Sequence, residues 1–139
     1  MESIAVIFWS GTGNTATMAQ EVVAGTGGQA KLINVTDTNA DEAAAYDKLA
    51  LGCPSMGDEV LGACEMEPFF TALGGKISAK KGVLFGSYDW GEGQWMRDWA
   101  ERTKKAGAIL AADPLIVNLS PDADGKAKCR ELGKALADA

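Results

Sequence analysis

Residues 4–9 read Ile-Ala-Val-Ile-Phe-Trp, an apolar run without a single polar interruption. A strand with one face in water alternates apolar and polar residues, so a short continuous run is typical of a strand buried on both faces. Similar apolar and β-branched runs follow at 30–35, 49–52, 83–86 and 109–117, the last of them broken by Asp113-Pro114. This series of runs predicts a central sheet that is covered on both sides.

Helical patterns occupy the intervals between the predicted strands. The predicted helices span residues 14–25, 65–73, 94–105 and 122–137, and a shorter one spans 40–45. Strands that alternate with helices of this length require right-handed crossovers, which produce a parallel sheet with helices on both faces. With 139 residues, the chain has the length of one domain. The predicted fold is therefore a single doubly wound α/β domain.

The chain is acidic and contains no histidine. Thirteen basic and nineteen acidic residues give a formal charge of −6, which disfavours binding to nucleic acid or to anionic lipid. The longest apolar run falls far short of the ~20 residues that cross a bilayer, and the first residues do not resemble a signal peptide. Without histidine, a Ser-His-Asp triad and zinc sites with histidine ligands are excluded.

The three cysteines, Cys53, Cys64 and Cys129, are widely spaced and form no C-x-x-C pair. Isolated cysteines in odd number are typical of a reducing compartment, so we expect a cytoplasmic location and no disulfide framework. The sequence shows no clear cluster of metal-ligating residues, and we expect no metal site. Cys53 has no basic neighbour in the sequence, which argues against a redox-active thiol.

Ligands of open parallel α/β sheets bind at the carboxyl ends of the strands, which places three loops at the predicted site. The first loop, residues 10–15, reads Ser-Gly-Thr-Gly-Asn-Thr between the first strand and the first helix. Its glycines allow a tight turn, and its hydroxyl and amide groups, together with the helix N-terminus, suit a phosphate. A glycine-rich turn with Ser and Thr as helix caps is the alternative without a ligand.

The first loop by itself leaves the identity of the phosphate ligand open. Residues 11–16 satisfy the G-x-G-x-x-A pattern, and Asp37 follows the second predicted strand, so a dinucleotide is permitted. The Walker A pattern fails because its lysine is missing. The choice between a dinucleotide and another phosphate ligand therefore depends on the other two loops.

Large side chains stand in the second and third loops, residues 53–59 and 87–91. Met56 and Trp90 suit the two faces of a flat ring, through sulfur–aromatic contact and stacking. Ordinary packing in the protein interior explains either residue alone. The two together, beside a phosphate loop, favour a flat cofactor.

Several motifs along the chain resemble the flavodoxin family. They are residues 7–15 with Met18-Ala19, residues 52–59, Glu67-Pro68-Phe69, Lys80-Lys81, residues 85–88, Trp90-Gly91 and Trp95-Met96. The resemblance covers essentially the whole chain and is to the short-chain, clostridial-type branch, because residues 109–117 leave no room for the long-chain insertion. It implies that residues 1–139 form one flavodoxin-like FMN-binding domain. The implied sheet is five-stranded and parallel in the order 2-1-3-4-5, with helices on both faces.

The resemblance also implies which residues bind FMN. Carried over position by position, they are Ser10, Gly11, Thr12, Gly13, Asn14, Thr15, Pro54, Ser55, Met56, Gly57, Asp58, Glu59, Ser87, Tyr88, Asp89, Trp90 and Gly91. Residues 10–15 would wrap the phosphate, Met56 would cover the inner ring face and Trp90 the outer face. Glu59 would accept a hydrogen bond from the ring N3–H. The peptide after Gly57 would flip so that the Gly57 carbonyl meets the protonated N5 of the neutral semiquinone.

One position departs from the family pattern. Asp89 stands where the clostridial-type loop usually carries glycine, immediately before Trp90. A carboxylate near the ring is expected to disfavour the anionic hydroquinone.

The resemblance implies a low-potential one-electron carrier, a monomer that serves ferredoxin-type clients and low-potential oxidoreductases in transient complexes. Binding to nucleic acid or membrane is not expected. Three alternatives remain open from the residues alone. They are a dinucleotide-dependent oxidoreductase, an FMN-dependent quinone or nitro reductase, and an FMN-free scaffold with a decayed site.

Overall fold

The computed structural model describes residues 3–9, 13–56, 60–61, 66–88, 93–118 and 121–139. It contains eight strands: β1 (Ile4–Phe8), β2 (Ala30–Asn34), β3 (Lys48–Gly52), β4 (Ser55–Met56), β5 (Val60–Leu61), β6 (Lys81–Tyr88), β7 (Ile109–Leu110) and β8 (Leu115–Asn118). Five helices accompany them: α1 (Asn14–Gly25), α2 (Ala40–Ala44), α3 (Met66–Leu73), α4 (Gln94–Lys105) and α5 (Ala123–Asp138). A short 3-10 turn, Val35–Asp37, follows β2.

The main sheet is parallel and has the order β2-β1-β3-β6, with β7 and β8 both alongside β6. Strand β7 pairs with the first residues of β6, and β8 pairs with its last four. The fifth position of the sheet is therefore filled by two short strands, and Asp113-Pro114 lies between them. This confirms the predicted order 2-1-3-4-5 and the break, since proline cannot donate to a strand ladder.

The helices begin and end close to their predicted limits. Helices α1 and α4 match the predicted spans 14–25 and 94–105, and α5 is shifted by one residue because Asp122 is its N-cap. The Asp122 carboxylate accepts a hydrogen bond from the Gly125 N–H at 2.8 Å. No helix within the described part of the chain has the length and apolar character needed to span a membrane.

Strand β6 is longer than predicted, and two further short strands were not predicted. Strand β6 runs over Lys81–Tyr88 instead of 83–86, because β7 and β8 supply hydrogen-bonding partners at its two ends. The antiparallel pair β4–β5 was not predicted, since strands of two residues carry no periodicity.

The apolar run in β1 divides between two cores, one on each face of the sheet. Ile4 and Val6 point to the α1–α5 side, and Ala5 and Ile7 point to the α3–α4 side. Each of the four is at most 2% exposed, which confirms the prediction of a strand buried on both faces.

Helices α1 and α5 pack against each other through their backbones. A Cβ added at Gly133 of α5 would lie 2.1 Å from the Val22 carbonyl oxygen of α1. A Cβ added at Gly25 of α1 would lie 2.0 Å from the Arg130 carbonyl oxygen of α5. Glycine is therefore required at both positions by the close approach of the two helices, which we refer to as the glycine contact.

Candidate functional site

The N-terminus of α1 lies after the carboxyl end of β1, in the middle of the sheet. Its N-cap is Gly13, whose φ of +96° falls in the left-handed region that glycine adopts without strain. A Cβ at Gly13 would meet nothing within 4 Å, so backbone conformation, and not lack of space, selects glycine here. Helix α1, described in full, has no acidic residue in its first turn. Its first N–H groups thus form a neutral donor set suited to an anion.

A buried pair of hydroxyl groups joins α1 to the carboxyl end of β6. The Thr15 Oγ1 and Ser87 Oγ atoms are 3.3 Å apart, and the Ser87 backbone N–H donates to Thr15 Oγ1 at 3.4 Å. Thr15 is 1% exposed and Ser87 is 3% exposed. The pair brings the first and third predicted loops together beneath the site, although 72 residues separate them in the chain.

The second loop leaves the sheet through Cys53, which is fixed on two sides. Its backbone N–H donates to the Phe85 carbonyl at 3.1 Å, and its carbonyl accepts a hydrogen bond from the Trp95 indole Nε1–H at 3.3 Å. A Cβ at Gly86 would lie 2.1 Å from the Cys53 carbonyl oxygen and 3.2 Å from the Trp95 ring. Close packing therefore sets the direction in which this loop departs. The buried Cys53 thiol donates to the Pro54 carbonyl at 3.4 Å.

Trp95 also contacts the start of the third loop. Its ring centroid is 6.0 Å from that of Tyr88, with the two rings tilted by 48°. The Tyr88 carbonyl accepts a hydrogen bond from the Asn118 side-chain amide on β8 at 3.1 Å. Trp95 is thus a single buried residue that supports two of the three loops, and the sequence analysis did not count it among the site residues. Its position one residue inside the helix that follows the third loop is the signal that could have identified it.

Beyond Pro54, the second loop continues into the antiparallel pair β4–β5. Ser55 pairs with Leu61 and Met56 pairs with Val60. The backbone of Met56, one of the predicted ring contacts, is therefore part of this antiparallel pair.

The described site residues Gly13, Asn14, Thr15, Pro54, Ser87 and Tyr88 all lie at the carboxyl ends of the parallel strands. Ser10, Gly11, Thr12, Gly57, Asp58, Glu59, Asp89, Trp90 and Gly91 lie outside the described residues, as do the side chains of Ser55 and Met56. The roles assigned to these residues remain predictions.

Comparisons with known proteins bear on the whole chain. The family model described as flavodoxin matches residues 6–133. A flavodoxin of Clostridium beijerinckii is 47% identical over 136 residues, which are 96% of this chain and 98% of the relative. A flavodoxin of Megasphaera elsdenii is 45% identical over 139 residues, 98% of this chain and 99% of the relative. The solution structure of the two-electron reduced Megasphaera elsdenii flavodoxin has a TM-score of 0.89 at 44% identity and covers 98% of this chain and 99% of its own.

Proposed function

The chain belongs to the flavodoxin family of FMN-binding electron-transfer proteins, and on this premise we propose that it is a low-potential one-electron carrier for ferredoxin-type redox partners. The observation that carries the proposal is the N-terminus of α1 at the sheet's carboxyl edge, which has no acidic residue in its first turn and has the buried Thr15 hydroxyl there. When bound, FMN supplies the redox chemistry, which we propose to be cycling between its semiquinone and hydroquinone.

The residues present fit the phosphate of FMN. The left-handed Gly13 and the first turn of α1 offer backbone N–H groups and the positive end of the helix dipole. Asn14 and Thr15 add an amide and a hydroxyl from that same turn. A charge-assisted hydrogen bond contributes ~1.5–3 kcal/mol, so several neutral donors can hold a phosphate dianion without lysine or arginine. We propose that Ser10, Gly11 and Thr12 complete this set.

The packing beneath the second and third loops fits a cofactor whose ring lies between them. Trp95 holds the Cys53 carbonyl on one side and contacts Tyr88 on the other. These contacts, made entirely within the protein, fix the origins of both loops, and such preorganisation lowers the ordering cost of binding. We propose that Met56 and Trp90 then cover the two ring faces and exclude water, and that Glu59 accepts from ring N3–H.

The relatives that are 45–47% identical over nearly their full lengths are named flavodoxins, which supports a carrier over an FMN-dependent reductase. The formal charge of −6 supports brief encounters with partners that present basic surfaces, because charge complementarity raises the association rate more than the affinity. We propose that the protein acts as a monomer in the cytoplasm, where its isolated cysteines stay reduced.

Reductive titration of the holoprotein tests the carrier role. We expect a flavin absorption spectrum, release of FMN on denaturation and two separate one-electron steps during photoreduction with reference dyes. The second step should fall in the range of plant-type ferredoxins, near ~−400 mV. A single two-electron step, or rapid oxidation of NADH by the isolated protein, would contradict the proposal and indicate a reductase. Apoprotein that binds neither FMN nor riboflavin would contradict the FMN site itself.

A further inference from the structure

The buried contact between Thr15 and Ser87 allows two arrangements of its protons. A hydroxyl group has one proton and two acceptor lone pairs. In the first arrangement Thr15 donates to Ser87, and its proton is used within the pair. In the second, the Ser87 hydroxyl and the Ser87 backbone N–H both donate to Thr15 Oγ1, at 3.3 Å and 3.4 Å. Both lone pairs of Thr15 are then engaged, and its proton is directed away from β6.

An anion at the N-terminus of α1 favours the second arrangement. A hydrogen bond to a charged group contributes ~1.5–3 kcal/mol, against ~0.5–1.5 kcal/mol for a bond between neutral groups. The Thr15 hydroxyl therefore donates its hydrogen bond to the anion. The Ser87 hydroxyl then becomes the donor in the hydrogen bond between the two side chains. Because hydrogen bonds in a chain polarise one another, donation by Ser87 makes Thr15 a stronger donor.

We propose that Ser87 is a positioning residue for phosphate recognition, which orients the Thr15 hydroxyl as a donor and so makes the site select FMN over the same ring without its phosphate. The proposal rests on the FMN-carrier function proposed above. It assigns to β6, the strand that leads to the ring-binding loop, a part in binding at the opposite end of the cofactor.

The burial of the pair supports this role. Thr15 and Ser87 are each at most 3% exposed, so water has little access with which to replace a missing partner. Removing the Ser87 hydroxyl leaves its backbone N–H as the remaining donor to Thr15 within the pair. The Thr15 hydroxyl then loses its orientation and its polarisation, while the apolar contacts of a flavin ring stay the same.

The test compares the affinities of the full-length apoprotein for FMN and for riboflavin, measured by quenching of flavin fluorescence. In Ser87→Ala we expect FMN to bind about tenfold more weakly, the effect of one lost hydrogen bond to a charged system. Riboflavin affinity should change less than about twofold, since riboflavin lacks the phosphate. Thr103→Val is the matched control: Thr103 is also 3% exposed, and its hydroxyl donates to the Trp99 carbonyl at 2.7 Å on α4. We expect it to leave the FMN-to-riboflavin affinity ratio unchanged.

A double-mutant cycle separates a positioning role from a structural one. If Ser87 acts through Thr15, Ser87→Ala has no further effect on the affinity ratio in the Thr15→Val background. Equal losses of affinity for FMN and riboflavin in Ser87→Ala, or additive effects of the two substitutions on the affinity ratio, would overturn the inference. The Thr15–Ser87 pair would then serve only as a structural contact between α1 and β6. Because the ratio is taken within each variant, a general loss of stability cancels. If the wild-type protein binds FMN but the Ser87 variants behave otherwise than expected, this inference fails and the proposed function still stands.

Discussion

The two helical layers of this protein support its site by different means. Helices α1 and α5, on one face of the sheet, contain no aromatic residue and meet through the glycine contact, backbone against backbone. Helices α3 and α4 carry Phe69, Phe70, Trp95 and Trp99 and fill the other face of the sheet with rings. Phe70 and Trp99 meet edge to face at a centroid distance of 5.8 Å, and the Arg102 guanidinium lies 5.0 Å from the Phe70 ring centroid.

The two helical layers should therefore tolerate substitutions differently. Backbone contact leaves no flexible atoms to move aside, so the α1–α5 layer should resist any added atom. In the α3–α4 layer, substitutions that remove the same ring volume should differ mainly through the hydrogen bonds they remove.

The largest effect should come from Gly133→Ala. Its Cβ would lie 2.1 Å from the Val22 carbonyl oxygen, so α1 and α5 must separate to admit it. We expect the free energy of unfolding to fall by about 3 kcal/mol, at the upper end of typical overpacking effects. Urea unfolding of the holoprotein at fixed FMN concentration measures this loss.

Gly125→Ala is the control on the same helix, because its Cβ would come no closer than 3.4 Å to any neighbour. We expect it to stabilise by ~0.5–1 kcal/mol through helix propensity. Equal effects at Gly133 and Gly125 would contradict the glycine contact as the cause of the loss.

Two tryptophans four residues apart on α4 test the aromatic layer. Both are 1% exposed, but Trp95 donates to the Cys53 carbonyl, whereas the Trp99 Nε1–H finds no acceptor among the residues that the structure describes. Trp95→Phe should cost more than Trp99→Phe by ~0.5–1.5 kcal/mol, since it removes the buried hydrogen bond to the Cys53 carbonyl. Trp95→Phe should also weaken binding of both FMN and riboflavin, because it loosens the origin of the second loop. Indistinguishable unfolding free energies for the two variants would remove Trp95 from its supporting role.

A smaller loss of stability is expected when the ion pair between α1 and α5 is removed. The Arg130 guanidinium pairs with the Glu21 carboxylate across the two helices, with the side chains 47% and 25% exposed. Glu21→Gln should reduce stability by less than ~1 kcal/mol, and the loss should shrink further at high salt. Lys128→Gln provides a comparison, because it breaks the more exposed Lys128–Asp124 pair within α5. A loss in Glu21→Gln as large as that in Gly133→Ala would mean that charge, not the glycine contact, joins this layer.

The Cys129 thiol should affect the pH dependence of stability only at alkaline pH. Burial raises the pKa of the Cys129 thiol to about 11 from its ordinary value of 9.0, with the nearby Glu21 carboxylate adding to the rise and Arg130 opposing it. Below pH 9 the thiol keeps its proton in the folded and unfolded states, so it contributes no pH dependence. Between pH 9 and about 11 the unfolded chain releases this proton and the folded chain retains it, so stability falls as pH rises. Cys129→Ala should fall less steeply over that window. Parallel pH profiles for the two proteins would show that this thiol titrates normally when folded.

The parts of the fold that were predicted from the sequence are those set by local patterns. The apolar run in β1, the spans of α1 and α4, and the break at Asp113-Pro114 each depend on residues within one turn or one strand of one another. The length of β6 was not predictable in this way, because its extra residues are held by β7 and β8, which lie more than twenty residues further along the chain. The β4–β5 pair was missed for a similar reason, since its four residues gain their structure from pairing and not from periodicity.

For the site, the local sequence established the kinds of groups available: glycines that allow a tight turn, hydroxyl and amide groups that suit a phosphate, and large side chains in the neighbouring loops. Only the tertiary structure decided which of these groups support one another. The Thr15–Ser87 contact joins residues 72 positions apart, and the Trp95–Cys53 hydrogen bond joins residues 42 positions apart. Strand order and the close packing at Gly86 and Gly133 bring the residues of these two contacts together. Local sequence propensity does not predict contacts between residues so far apart in the chain.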